Sequence, residues 1–343
     1  MNAYKLPEDH LSPFLLRLGS QAEVYAPERQ ASGEVIFARL TDPARVVTEY
    51  TRTTLPLKKF FSLPSEVMFR FSVDRGYEVP EEIASVHRRV IFGAHACDLH
   101  ALQILDRTFL HDQPDPYYAQ RRESTALIGL SCTPDELCFC NSFGTGFVSD
   151  GYDLFFAAVP GGFFVQIGTT RGNDLIGMAK DLFAPADEAD LLAYRRYLKE
   201  HNGKFTREVT TSALPGILEL ETGSALWGEA ADRCLGCGSC SMVCPTCYCF
   251  SVSDRLDLSL KTGERRRTWD SCLFKEYATV AGGHNFRPGR DARLRQRLFH
   301  KFVDFPARFE RYACVGCGRC TAACPAGIDF VALIKDLRRE ASA

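Results

Sequence analysis

Two short segments of the chain repeat one arrangement of thiols. The first reads Cys234-Leu-Gly-Cys237-Gly-Ser-Cys240-Ser-Met-Val-Cys244-Pro245, and the second Cys314-Val-Gly-Cys317-Gly-Arg-Cys320-Thr-Ala-Ala-Cys324-Pro325. Both are C-x2-C-x2-C-x3-C-P, the run of bacterial-type 4Fe–4S ferredoxins. Three thiolates in so short a stretch can wrap one face of a cubane. The two-residue loops turn backbone amides toward the cluster, and glycines such as Gly238 and Gly316 permit the backbone angles this needs. Structural zinc takes paired cysteines separated by a longer loop, so iron–sulfur ligation is the reading that fits. In two-cluster proteins of this type the fourth cysteine of each run serves the other cluster. Cys234, Cys237, Cys240 and Cys324 are therefore assigned to one 4Fe–4S cluster, and Cys314, Cys317, Cys320 and Cys244 to a second.

The remaining cysteines carry weaker signals. The chain has fifteen, four from Cys97 to Cys140 and eleven from Cys234 to Cys324. In a chain of this size metal ligation explains that number better than disulfides do. Cys97, Cys132, Cys138 and Cys140 each follow a strand-like run, where loops gather ligands at one end of a sheet. Four thiolates is the count of a third 4Fe–4S cluster, although their spacing is no ferredoxin run; zinc, or a set of buried loop cysteines, stays open. Cys247, Cys249 and Cys272 are read mainly as small apolar packing residues, with extra ligation or a redox pair as alternatives. The histidines, including His95, His100, His284 and His300, show no metal-binding spacing and read as surface or packing residues.

The elements that must position these groups suggest two domains, 1–220 and 221–343. The first reads as α/β with a mixed sheet. Its strand-like runs are 34–40, 67–72, 90–93, 126–131, 152–159 and 163–168, with helices starting at Asp98 as cap and spanning 187–199. The second reads as a mostly α-helical dicluster ferredoxin-like domain. The residues between Cys244 and Cys314 exceed the connection of a small ferredoxin. Leu294, Leu298, Phe299 and Phe302 share a helix face, and Asp329 caps a helix with Phe330, Leu333, Ile334 and Leu337 inward. Val252, Leu256, Leu258 and Leu260 suggest a strand of a hairpin turned at Lys261-Thr262-Gly263. At 45% hydrophobic and 24% charged the chain is an ordinary globular one. A net charge of −2 gives no case for nucleic acid or an anionic membrane as partner. No signal peptide and no apolar run of roughly 18 residues is seen, so a cytoplasmic protein is expected. No G-x-G-x-x-G follows a strand and no P-loop lysine occurs; a flavin needs no such fingerprint and stays open.

The strings around the cysteines are more specific than the runs themselves. CDLHALQILDRTF, DPYYAQRR, LIGLSCTPDELCFCNSFGTG and YDL, then CPTCYCF, RRRTWDSC, AGGHNFRP and RQRLFHKF, resemble the β subunit of cytoplasmic NAD(P)-dependent NiFe hydrogenases, or sulfhydrogenases. The A subunit of anaerobic sulfite reductase belongs to the same family. The resemblance runs from about residue 35 to the end. It implies a non-catalytic relay subunit whose 4Fe–4S clusters pass electrons between a flavin- and NAD(P)-binding subunit and the NiFe small and large subunits, with FAD and NAD(P) on a partner. It also favours a cluster on Cys97, Cys132, Cys138 and Cys140. Two rival readings remain. One is the same relay in anaerobic sulfite reductase or another multi-subunit reductase. The other, of a different class, is a redox sensor acting through Cys247, Cys249 and Cys272.

Overall fold

The computed structural model describes residues 3–79 and 87–342. They form two compact units. One comprises residues 3–57, 87–208 and 315–317; the other comprises 58–79, 209–314 and 318–342.

The first unit is built on an eight-stranded sheet of β1 (Ala3–Pro7), β2 (Glu23–Arg29), β3 (Val35–Arg39), β6 (Arg89–Ala94), β7 (Thr125–Leu130), β8 (Leu154–Val159), β9 (Gly162–Ile167) and β10 (Ala184–Pro185). Their order is β10-β1-β9-β8-β7-β6-β2-β3. The pairs β2–β6, β6–β7 and β7–β8 are parallel, and the outer pairs antiparallel. The central strands are apolar throughout because both faces are covered: every residue of β7 is buried, and all of β6 except Arg89 is inaccessible or nearly so. The helix Leu11–Gly19 turns Leu11, Phe14, Leu15 and Leu18 into a core that also holds Phe92, Ile128, Phe156 and Val165. The helix Glu188–Gly203 starts at Asp187, whose side chain accepts from Asp190 N in a capping box. Of the six strand runs anticipated in the N-terminal domain, all but 67–72 are present in this unit. β1, β2 and the two-residue β10 were not anticipated.

Three expectations need correction. The helix after β6 is Ala96–Phe109 with His95 at its N-cap. Asp98 therefore lies inside the first turn and is fully buried, so it does not cap. The strand expected at 67–72 is β4 (Ser65–Ser72), and it belongs to the second unit, where it lies in a four-stranded sheet with β5 (Gly76–Glu78), β11 (Phe250–Leu256) and β12 (Thr262–Trp269), ordered β11-β12-β4-β5. No local signal reveals that pairing, because β4 and β12 are joined only by tertiary hydrogen bonds. Inside it the Arg267 guanidinium donates to the Glu66 carboxylate at 2.6 and 2.9 Å, with both residues buried. Finally, the turn of the β11–β12 hairpin falls before Thr262, and the alternating apolar residues of β11 are all exposed. Its alternation marks a strand without marking a buried face.

The rest of the second unit is helical, as expected. The helix Arg290–Phe299 buries Leu294 and Leu298 but also Arg293 and Arg297. It runs into a π-helical turn, His300–Asp304, and then the helix Phe305–Phe309. The last helix, Phe330–Glu340, is capped by Asp329, which accepts from Val331 N at 2.9 Å, and buries Phe330, Leu333, Ile334 and Leu337. Among the described residues no helix is long and apolar enough to cross a membrane.

Candidate metal centres

The first ferredoxin run leaves the helix Leu226–Arg233 at its C-terminus and passes through a left-handed turn into the short helix Ser239–Met242. Gly238, at φ +73°, makes that turn; a Cβ there would lie 2.6 Å from the Phe274 ring. Cys234, Cys237 and Cys240 share one cavity with Cys324 of the second run, closed by apolar side chains such as Leu273 and Phe330. Donors reach the sulfurs: Gly236 N donates to Cys234 Sγ at 3.4 Å and Ile328 N to Cys324 Sγ at 3.3 Å. The Ser239 hydroxyl holds the Cys237 thiol below its ordinary range. Burial pushes Cys240 up to about 11, with the Arg297 charge opposing.

The other four cysteines of the runs are placed by a different set of contacts. Cys244 Sγ lies 3.3 Å from the Thr246 hydroxyl, and that hydroxyl donates to Ala313 O at 2.7 Å, tying Cys244 to the residue before Cys314. Lys301 Nζ donates to both Thr246 Oγ1 and Ala313 O, at 2.8 and 2.9 Å. Burial opposes the charge of Lys301, yet its pKa stays above the ordinary lysine range because Cys244, Cys247 and Cys314 lie around it. Cys320 is raised by burial, with Arg297 pulling the other way. Cys317 belongs with the first unit, together with Val315 and Gly316.

In the first unit the four scattered cysteines are brought together. Cys97 sits in the first turn of the helix after β6, and Cys132 two residues beyond β7. Cys138 and Cys140 follow on the same loop. Cys140 bonds with Cys138 and Cys97, which raises its thiol well above the ordinary range. Cys132 is raised by burial and by the charges of Cys97 and Cys138. Cys138 falls to about 7, held by Cys140 and by Arg52, whose Nη2 donates to its sulfur at 3.4 Å. Arg52 is itself fixed by Asp135. Cys132 Sγ lies 3.6 Å from Nε2 of His201, an imidazole that burial lowers to about 4 and so keeps neutral. Gly316 holds this loop from the other side: Phe139 N donates to its carbonyl at 2.8 Å, and a Cβ on it would meet Phe139 and Cys140 backbone at 2.5 Å.

Among the described residues, no group of three His, Cys, Asp or Glu side chains is arranged to hold a single metal ion. Thiolates spread around a cavity suit a cubane, in which each iron takes its own ligand. His95 is a packing residue, its two ring nitrogens facing Leu130 O and Tyr50 O at 3.0 Å. Sequence reasoning missed Arg52, His201, Thr246, Arg297 and Lys301. The buried cations had one available signal: Arg293, Arg297 and Lys301 share the inward face of a helix whose apolar residues are Leu294 and Leu298.

Fold and site together define an iron–sulfur electron-transfer protein. Residues 233–328 match the family described as a 4Fe–4S dicluster domain. The whole chain is similar to the protein named sulfhydrogenase 2 subunit beta of Pyrococcus furiosus, 38% identical over 339 residues, covering 98% of this chain and 99% of that one. The chain belongs to the family of sulfhydrogenase β subunits.

Proposed function

We propose that this chain is the electron relay of a NiFe hydrogenase complex and holds three 4Fe–4S clusters. One is held by Cys234, Cys237, Cys240 and Cys324, the second by Cys314, Cys317, Cys320 and Cys244, and the third by Cys97, Cys132, Cys138 and Cys140. When bound, such clusters supply one-electron transfer at potentials set by hydrogen bonds to sulfur and by burial. The partners on this reading are a flavin- and NAD(P)-binding subunit and the NiFe small and large subunits. The observation that carries it is the single cavity lined by Cys234, Cys237, Cys240 and Cys324, in which a cysteine from the end of the second run completes the first. The protein's own part is to hold thiolates, aim the Gly236 and Ile328 amides at sulfur, and bury Arg297 and Lys301 beside the negative charge. The relative's printed name favours the hydrogenase setting over a sulfite reductase; a NiFe large subunit co-purifying with the chain supports it, and a sirohaem subunit overturns it.

The test of the relay is Cys237→Ser in the assembled complex, with hydrogen-linked NAD(P) reduction measured anaerobically. Loss of that coupled activity, with each partner still active on artificial dyes, is expected. Full retention would mean that electrons take another route. The third site is tested by the pair Cys97→Ser and Cys138→Ser, which should remove about four irons per chain; unchanged iron sinks it.

A further inference from the structure

Three cysteines of the second unit, Cys247, Cys249 and Cys272, belong to neither ferredoxin run. They line a cavity of about 210 Å³ whose wall also includes Tyr277, His300 and Lys301. Cys249 and Cys272 hydrogen-bond to each other, and Tyr277 bonds to Cys249. Cys247 is buried and receives Arg297 Nη1 at 3.3 Å.

Around these thiols the protein has buried three cations. Lys58, Arg297 and Lys301 are each no more than 5% exposed. The Lys58 ammonium donates to the carbonyls of Ser241 and Cys247 at 3.0 and 3.1 Å and stands 4.2 Å over the Trp269 ring. Arg297 donates to Cys240 O, Ser241 Oγ and Cys247 Sγ. Lys301 donates to Thr246 Oγ1 and Ala313 O. These bonds end on carbonyls, hydroxyls and sulfur, none of which is a carboxylate. Burying several ammonium and guanidinium groups is costly unless anionic charge lies beside them. The wall also includes a π-helical turn, His300–Asp304, which places His300 and Lys301 on the cavity, and such turns recur at functional sites.

We propose that Cys247, Cys249 and Cys272 hold a further 4Fe–4S cluster, bound by three thiolates, with its fourth iron facing the cavity and open to a non-cysteine ligand for which the His300 imidazole is the candidate. Loading transfers a preformed 4Fe–4S core from a thiolate-bearing assembly donor by ligand exchange: the donor's sulfur–iron bonds break, three sulfur–iron bonds form on this chain, the three thiol protons pass to the released donor thiolates, and no electrons move. A site with one non-cysteine position differs in kind from the all-cysteine sites, because that iron can exchange ligands or be lost.

The inference rests on the iron–sulfur character of the chain but not on the N-terminal site. The experiment uses the full chain, loaded anaerobically with equal amounts of ferrous and ferric iron and with sulfide. Iron and sulfide are counted and EPR spectra recorded before and after mild oxidation, for the native protein and for Cys249→Ser/Cys272→Ser. The native protein should shed one iron on oxidation and show a three-iron signal. The double variant should hold about four irons fewer and lack that signal. His300→Ala should keep the irons but alter the reduced-cluster spectrum. Should the double variant fail to fold, alkylation of the native chain decides: Cys249 and Cys272 should resist iodoacetamide until iron is chelated. Equal iron in the two proteins, or alkylation of both residues with iron fully retained, overturns the proposal. A Cys249–Cys272 disulfide formed on oxidation without loss of iron overturns it too, in favour of a thiol pair. A four-iron loss in Cys97→Ser/Cys138→Ser together with none here would leave the three-cluster reading standing alone.

Discussion

In the second unit the thiols are neighbours in the chain before they are neighbours in space. Three cysteines of each run fall within one turn-and-helix segment, and on the proposed assignment only Cys244 and Cys324 serve the other run's set. In the first unit the order is reversed. Cys97 and Cys132 are far apart in sequence and meet because β6 and β7 are adjacent parallel strands, each delivering its next loop to the same end of the sheet. The stabilising charges differ as well. Around the first unit's cysteines stand the partly buried Arg52 and a neutral His201. In the second unit the buried Arg297 donates to Cys247 Sγ, and the buried Lys301 donates to Thr246 Oγ1 and Ala313 O beside Cys244. A run brings three thiols together by local chain geometry; a set drawn from the turn after β6 and the loop after β7 exists only once the sheet has formed.

That contrast can be broken most decisively at the ligands. Cys240→Ser and Cys97→Ser should each lower iron by about four per chain. The contrast predicts that Cys240→Ser leaves urea stability of the first unit unchanged, and loss of iron from both sites in either variant would show that they load as one. Next in size is Glu66→Ala, which leaves Arg267 buried without its carboxylate in the sheet that joins β4 to β12. A loss of about 3–5 kcal/mol is expected, read by urea unfolding of the apoprotein. Gly316→Ala should cost about 2 kcal/mol or more, since φ is +63° and the new Cβ would meet backbone at 2.5 Å. Gly327→Ala, at φ +62° with open space, should cost about 1 kcal/mol. Equal losses for the two would mean that the contact of Gly316 with the Cys138–Cys140 loop contributes nothing. Smallest is Arg52→Ala, which keeps every ligand but removes the donor to Cys138. Cluster retention at the N-terminal site should weaken about 10-fold, measured by the rate of iron release to a chelator, with the other sites unaffected.

The sequence by itself determined the two ferredoxin runs and their iron–sulfur character, the central strands of the first sheet and the helix capped by Asp329. Each of these depends on residues within a few positions of one another: ligand spacing, apolar strand runs, a cap and its helix. The strings flanking the cysteines carried the family as well. The tertiary structure decided the rest. It placed β4 in the sheet of the second unit, moved Asp98 from the cap into the buried first turn, and left the apolar residues of β11 exposed. It brought Arg52 and His201 to the N-terminal thiols, and it gathered Cys247, Cys249 and Cys272 around a cavity beside buried cations. These outcomes depend on which distant segments share hydrogen bonds and which charges are taken out of water together. No window of sequence contains both partners, so only the folded chain can pair them.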